Sequence, residues 1–176
     1  LLQAYKSIKS SYNSISYIDT HAGSGTYYFN NTHMLKNKEY EKGINKLIDY
    51  KGENQSIKYY LKILRNINNS NLLSFYPGSP IIMSYVTDNK DKLFFYEIHK
   101  NEYEILRKNF SKNINSKIYN KNGFDFITQK IHIKEKTLVL IDPSYEMKDD
   151  FEKIIIILKN IEEKFTNLTA LIWYPI

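Results

Sequence analysis

Four short clusters of polar and glycine residues each follow an apolar run, and their residue types could together bind a nucleoside cofactor and a planar base. In chain order they are Asp19-Thr20-His21-Ala22-Gly23-Ser24-Gly25, Glu97-Ile98-His99, Asn122-Gly123-Phe124 and Asp142-Pro143-Ser144-Tyr145. If the apolar runs are parallel strands, their carboxyl ends share one edge of a sheet, where open α/β folds bind ligands. The order of the clusters therefore predicts a single binding rim.

The fourth cluster carries the strongest chemical signal. Pro143 has no N–H to donate, so the strand before it must stop and the chain must turn at the rim. Asp142 then offers a hydrogen-bond acceptor and Tyr145 an aromatic face, two features that can hold a planar base by its exocyclic amine. The alternative is a plain Asp-Pro turn at a strand end, but the three companion clusters favour the functional interpretation.

The first two clusters indicate an adenosine cofactor. Gly23 and Gly25 allow the backbone to approach a ligand closely, but Tyr28 stands where the dinucleotide fingerprint requires a third glycine. Glu97 ends a buried apolar run and could accept hydrogen bonds from both hydroxyls of a ribose. It follows Gly25 by 72 residues, a gap that the helical stretch 36–69 and the helix after Pro77-Gly78 would explain together as an insertion.

Alternating apolar and amphipathic segments predict the frame that positions these clusters. The apolar runs predict five strands, over residues 15–19, 93–98, 117–119, 137–141 and 170–174. Helical periodicity covers residues 1–14, 36–69, 81–86, 101–110, 124–129 and 150–164, with Ser79-Pro80 as a helix start. This pattern predicts an α/β fold with a mostly parallel sheet and helices on both faces. Residues 1–35 and 71–176 would form that domain.

The composition narrows the function classes. A net charge of +6 alone indicates a polyanionic partner. However, 23 Lys, 25 Ile, 19 Asn and 16 Tyr account for 83 of 176 residues, a bias typical of AT-rich codons. The basic helices over 36–69 are therefore either a phosphate-facing surface or an ordinary solvated face. No cysteine and no ligand-like histidine spacing predict a protein without a metal. With no signal peptide or membrane span, it is expected to be cytoplasmic.

Six motifs resemble one enzyme family, in family order along the whole chain. Asp142-Pro143-Ser144-Tyr145 is similar to the Asp-Pro-Pro-Tyr motif of class I, S-adenosylmethionine-dependent amino-methyltransferases. Further matching stretches are Tyr17–Gly25, Tyr76–Pro80, Glu97–His99, Asn122–Phe124 and Leu171–Pro175. Together they resemble the bacterial 23S ribosomal RNA adenine-N6-methyltransferase family of the RlmJ type. The resemblance implies a Rossmann-like methyltransferase fold with a helical insertion, acting as a monomer on 23S ribosomal RNA.

The resemblance also implies roles for individual residues. The residues that would contact S-adenosylmethionine are His21, Ser79, Glu97, Asn122, Gly123 and Asp142. Glu97 would bind the ribose hydroxyls, Asn122 would lie near the adenine, and Ser79 near the methionine carboxylate. Asp142 would be the catalytic acceptor of the target amine hydrogens. Pro143 would bind substrate through its carbonyl, and Tyr145 would stack on the target adenine.

Departures from the family pattern keep alternatives open. Ser144 replaces the second proline of the motif, and Asn122 replaces an aspartate. The family sheet has seven strands and five are predicted here, so we expect a truncated member with an incomplete sheet. One alternative function is an inactive remnant or an RNA-binding module. A second is a nicotinamide-dependent oxidoreductase, against which the missing third glycine argues.

Overall fold

The computed structural model describes residues 1–29, 44–70, 73–127, 136–145 and 150–175. Contacts divide the chain into two compact units. The first comprises Leu1–Ser24 and Thr87–Ile176, and the second Gly25–Val86. The predicted insertion, residues 36–70, falls within the second unit; the part of its first helix over 36–43 lies outside the described residues.

The described residues form seven strands, six α-helices and one 3-10 helix. The strands are β1 (Ile15–Asp19), β2 (Thr26–Tyr28), β3 (Phe75–Pro77), β4 (Lys92–Tyr96), β5 (Ser116–Tyr119), β6 (Lys136–Ile141) and β7 (Leu168–Ile172). The α-helices are α1 (Leu2–Lys9), α2 (Ile44–Ile48), α3 (Gln55–Asn68), α4 (Ser79–Val86), α5 (Lys100–Asn109) and α6 (Asp150–Lys164). The 3-10 helix spans Gly123–Ile127.

The first unit is built on a five-stranded parallel sheet in the order β5-β4-β1-β6-β7. The predicted α/β fold with a mostly parallel sheet is thus confirmed, and each strand lies within two residues of its predicted bounds. Every residue of β1 is buried, because a central parallel strand is covered on both faces. The register sets Asp19 beside Phe95 of β4 and Leu140 of β6.

Helices cover both faces of this sheet. Successive side chains of a strand point to opposite faces, and Ile18 of β1 packs in a cluster with Ile154 and Ile157 of α6. The neighbouring Tyr17 lies on the other face, where its ring meets Phe95 edge-on with 6.3 Å between centroids. Phe95 in turn packs on Phe110, directly after α5, at 4.8 Å.

The second unit contains an element that the sequence did not predict, an antiparallel pairing of β2 with β3. Thr26 pairs with Pro77 and Tyr28 with Phe75. Three-residue strands give too few positions for an alternating pattern. The next helix, α4, begins at Ser79, and the Gly78 carbonyl accepts the first helical hydrogen bond, from Ile82 N–H. The helix therefore begins one residue earlier than predicted: Ser79 is its first residue rather than the residue that caps it.

Asp91 is a buried structural carboxylate in the first unit, and the sequence analysis did not single it out. Its side chain is 1% exposed. It accepts hydrogen bonds from the Tyr5 hydroxyl at 2.8 Å, the Lys9 ammonium at 2.6 Å and the Ile15 backbone N–H at 2.9 Å. The carboxylate thereby joins α1, the start of β1 and the turn before β4.

We expect Asp91→Asn to lower the free energy of unfolding by about 2 kcal/mol. The new amide nitrogen cannot accept a hydrogen bond, so a buried donor is left unsatisfied. Urea unfolding followed by circular dichroism measures the change. Asp88→Asn is the control, because Asp88 also pairs with Lys9 but is 51% exposed, and an exposed pair contributes below about 1 kcal/mol. Equal losses in the two variants would contradict this assignment.

Candidate active site

Backbone hydrogen bonds hold the loops that follow the strands of the first unit side by side. Thr20 N–H, after β1, donates to the Leu140 carbonyl of β6, and Ala22 N–H donates to the Tyr96 carbonyl of β4. Glu97 N–H, after β4, donates to the Tyr119 carbonyl of β5. The sheet register therefore gathers the four predicted clusters along one edge.

Glu97 links two of these loops through both of its carboxylate oxygens. Oε2 accepts the Gly23 backbone N–H at 2.8 Å, and Oε1 accepts the His99 N–H at 2.7 Å. Gly23 has φ 59°, a left-handed conformation that glycine adopts without steric cost. The carboxylate is 5% exposed, so its burial is compensated by hydrogen bonds. A carboxylate can accept about four hydrogen bonds, which leaves capacity for a ligand's hydroxyls.

Two asparagines shape the loop after β5. Asn122 Oδ1 accepts the Phe124 N–H at 3.0 Å and thereby caps the 3-10 helix. Asn120, which the sequence analysis missed, donates from Nδ2 to the carbonyls of Glu97 at 2.8 Å and Ile98 at 3.1 Å. Its position directly after a strand was the available signal. These bonds attach the Asn122 loop to the Glu97 loop.

Gly123 lies against the backbone that follows β1. A Cβ added to Gly123 would overlap the Thr20 carbonyl oxygen and come within 2.6 Å of the Thr20 Cα. Only glycine therefore fits where the two loops meet. The sequence predicts a cofactor contact for Gly123, and the structure gives this glycine a packing role where the loops after β1 and β5 meet.

His21 is half-buried next to this junction. Its Nδ1 lies 2.8 Å from the Thr20 hydroxyl, and its ring meets the Phe124 ring edge-on at 5.0 Å. Burial lowers the pKa of His21 to about 4, opposed by the negative charge of Asp150. The imidazole is therefore neutral near pH 7 and can exchange hydrogen bonds without adding charge to the rim.

The stability of the protein is expected to fall as the pH drops from 6.5 to about 4, through His21. The unfolded chain binds a proton near pH 6.5 and the folded one only near 4, so protons favour unfolding inside this window. A single titrating group can change the free energy of unfolding by at most about 1.4 kcal/mol per pH unit. His21→Asn removes this component, so the stability difference between wild type and variant should change across the window. A difference that is independent of pH would show that His21 titrates normally.

The turn after β6 holds the predicted catalytic group. The Asp142 side chain is exposed and Pro143 is buried. Although Asp142 reaches solvent, the surrounding protein partly desolvates the carboxyl, and this raises its pKa. A carboxylate with a raised pKa is a stronger proton acceptor than an ordinary aspartate.

Tyr145 is fixed by neighbours at the end of the sheet. It has φ 57°, and its hydroxyl donates to the Trp173 carbonyl at 2.5 Å. Its ring lies 4.7 Å from the Phe151 ring and 6.0 Å from that of Trp173, both tilted. Burial raises the pKa of Tyr145, with Asp142 the next cause. Trp173, which follows β7 and is 54% exposed, adds an aromatic surface that the sequence did not indicate as part of the site.

The structure thus brings most of the predicted site residues to one edge of the first unit. Hydrogen bonds and packing join the loops of His21, Glu97, Asn122 and Gly123, and Asp142, Pro143 and Tyr145 follow β6. Ser79 belongs to the second unit, as the first residue of α4. Within the described ranges, no group of three or more acidic or histidine residues could hold a metal ion. No helix there combines the length and apolarity needed to cross a bilayer.

Comparison with known proteins identifies relatives. The model of the family "ribosomal RNA large subunit methyltransferase D, RlmJ" matches residues 12–176. Ribosomal RNA large subunit methyltransferase J of Haemophilus influenzae is 35% identical over 162 residues, 91% of this chain and 58% of that protein. Its counterpart in Escherichia coli K12 is 30% identical over 161 residues, with the same coverage.

A solved structure agrees in fold with the whole chain. The crystal structure of a Legionella pneumophila protein superposes with a TM-score of 0.86 at 30% identity, over 99% of this chain and 64% of that one. The chain thus spans about three-fifths of the length of the curated relatives it matches. Because the family model matches residues 12–176 and the sequence identities agree with it, the chain belongs to the RlmJ family of ribosomal RNA large subunit methyltransferases.

Proposed function

We propose that this protein transfers a methyl group from S-adenosylmethionine to N6 of an adenine in 23S ribosomal RNA. The observation that carries the proposal is the turn at Asp142 and Pro143, which places an exposed carboxylate at the end of a central strand in a member of this family. Family membership favours this reaction over hydride transfer to a nicotinamide.

The residues at the rim fit a nucleoside cofactor. Glu97 is a buried carboxylate whose oxygens accept two backbone N–H groups and have capacity for the two ribose hydroxyls. Asn122 is exposed in the loop after β5 and would lie near the adenine, while the neutral His21 and the closely packed Gly123 would bound the same site. S-adenosylmethionine, when bound, supplies an electrophilic methyl group on its sulfonium sulfur. The contact of Ser79 with the methionine carboxylate stays a prediction.

Asp142 would act on the target amine. The lone pair of an adenine amine is delocalised into the ring, so the nitrogen is a weak nucleophile. Asp142 and the carbonyl of Pro143 would accept its two hydrogens and favour a tetrahedral nitrogen with an available lone pair. Holding that nitrogen about 3–3.5 Å from the reacting carbon supplies much of the acceleration. The proton can leave to Asp142 or to water after the new N–C bond has formed.

An aromatic surface would hold the target base next to Asp142. Tyr145 is anchored by its hydroxyl and packs with Phe151 and Trp173, so its ring is already ordered before substrate arrives. Stacking of a base on an ordered ring costs little conformational entropy. The target adenine must be unstacked or single-stranded to reach this ring.

Methyl transfer from labelled S-adenosylmethionine to unmodified 23S RNA tests the proposal. Nuclease digestion should then release N6-methyladenosine as the labelled nucleoside. Label in another nucleoside would refute the assignment to adenine N6. Calorimetry supplies the check on cofactor class: binding of S-adenosylhomocysteine is expected, whereas binding of NAD alone would restore the oxidoreductase alternative.

A further inference from the structure

The second unit carries most of the net charge of the chain because it contains few acidic residues. Residues 25–86 contain eight Lys and Arg and four Asp and Glu, a net charge of +4, and the other 114 residues carry the remaining +2 of the total of +6. Lys and Arg make up 8 of these 62 residues and 17 of the other 114, so the higher net charge of the second unit reflects its small number of acidic residues. The cations of this unit therefore have few acidic residues nearby in the sequence to neutralise them.

Within this unit, α3 presents three cations on one exposed face. Lys58, Lys62 and Arg65 follow one another at spacings of four and three residues, which places them in a row along the helix. All three are exposed, while Leu61 and Leu64 are buried on the other side. The helix contains no acidic residue. Among the described residues none of the three cations forms an ion pair, so the row is open to an anionic partner.

The row of cations leads into an open cavity of about 570 Å³ at the end of α3. The cavity is lined by Arg65, Asn66, Asn69, Ser70 and Tyr85. Arg65 is held by a 2.8 Å hydrogen bond from Nη2 to the Ile48 carbonyl, and Asn66 Nδ2 donates to the Tyr85 hydroxyl at 2.9 Å. Tyr85 is nevertheless 47% exposed. The cavity thus combines a fixed guanidinium, amide groups and an aromatic ring.

We propose that this surface, the row of Lys58, Lys62 and Arg65 with its adjoining cavity, binds a single strand of the RNA substrate. The three cations would neutralise successive phosphates, and an unstacked base would enter the cavity against Tyr85. The amides of Asn66 and Asn69 suit the edge of a base. The volume of the cavity lies within the range of about 300–1,000 Å³ that is typical of small-ligand sites, so the cavity can accommodate a nucleotide. The inference rests on the proposed function, since it concerns the same substrate.

An acidic peptide is the competing ligand for such a row of cations. A peptide carboxylate would use the lysines but has no need of an aromatic ring beside amide groups, whereas bases have both a stacking face and hydrogen-bonding edges. The combination in the cavity therefore favours RNA, and double-stranded RNA is disfavoured because its bases are not accessible for stacking.

Fluorescence anisotropy with a labelled single-stranded RNA oligonucleotide tests the surface in the intact protein. The variant Lys58→Gln/Lys62→Gln/Arg65→Gln should weaken binding about tenfold or more. It should also reduce the slope of log affinity against log salt concentration by the equivalent of about two phosphate contacts. Tyr85→Leu should weaken it about 10-fold while leaving the salt dependence unchanged. The matched control is Lys108→Gln/Lys112→Gln/Lys117→Gln, three exposed cations of the first unit.

The outcomes separate this inference from the proposed function. Any of three results would overturn the inference. They are an equal loss of RNA affinity in the two triple variants, an unchanged affinity in Tyr85→Leu, and displacement of the RNA by polyglutamate of equal charge. Methyl transfer by the α3 triple variant with an unchanged KM for RNA would do the same while leaving the proposed reaction intact. Conversely, selective loss of RNA binding in a protein without methyltransferase activity would support the surface and refute the reaction. Unchanged binding of S-adenosylhomocysteine shows that the variants are folded.

Discussion

Replacing Asp142 by alanine is expected to lower the rate of methyl transfer to 23S RNA by a factor of about 10³. Asp142 is exposed at the turn after β6, and partial desolvation raises its pKa, so it is a strong acceptor in a position that substrate can reach. A positioned acceptor contributes about 10²–10⁴ to a rate. Asp142→Asn should lose nearly as much, because its amide nitrogen cannot accept an amine hydrogen.

Single-turnover assays at saturating S-adenosylmethionine measure this loss at the chemical step. Glu152→Ala, an exposed acid on α6, is the control and should keep the wild-type rate. Because the acceptor must be ionised, the wild-type rate should also fall as the pH decreases through the raised pKa of Asp142, above the ordinary value of 3.8. A wild-type rate in Asp142→Ala would eliminate the proposed role, provided that S-adenosylhomocysteine still binds.

The three inner strands of the main sheet, β1, β4 and β6, were predictable because most of their residues are buried. β1 is buried at all five positions, and β4 and β6 are nearly continuous apolar runs, so these segments stand out from amphipathic helices. The pairing of β2 with β3 was not predictable, since three residues give no periodic signal. The end of β4 was predicted two residues too late: the strand ends at Tyr96, and the following Glu97 carboxylate accepts the His99 N–H.

The loops that line the rim could be predicted from the sequence, but the contacts that connect them could not. The sequence indicated that Glu97 faces a binding rim. It contained no sign that the same carboxylate accepts the Gly23 N–H, 74 positions away, because that contact depends on β1 and β4 being neighbours in the sheet. The same holds for Tyr145 and Trp173, whose contact depends on the pairing of β6 with β7. Local patterns specify elements, whereas strand order specifies which loops meet.

Gly123→Ala is expected to destabilise the protein by about 4 kcal/mol or more. The added Cβ would overlap the Thr20 carbonyl oxygen, and Thr20 has little freedom to retreat. Its N–H and its hydroxyl both donate to the Leu140 carbonyl, at 3.1 and 3.0 Å. Overpacking usually costs about 1–3 kcal/mol when side chains can adjust. Here two backbone segments collide, so relief requires breaking bonds to β6 or moving the loop after β5.

Moving that loop would also displace Asn122, so the variant that remains folded should bind S-adenosylhomocysteine at least about tenfold more weakly. Thermal unfolding and calorimetry measure the two effects. Gly52→Ala is the control, because the three atoms nearest to its added Cβ all belong to the Tyr50 side chain, and a side chain can shift more readily than two backbone segments. Its cost should be smaller than that of Gly123→Ala, although moving Tyr50 strains the hydrogen bond that its hydroxyl accepts from the Asn54 N–H at 3.2 Å. If Gly123→Ala were as stable as Gly52→Ala, the loops after β1 and β5 could not be packed as described. If stability fell but cofactor affinity did not, Gly123 would support the fold without shaping the cofactor site.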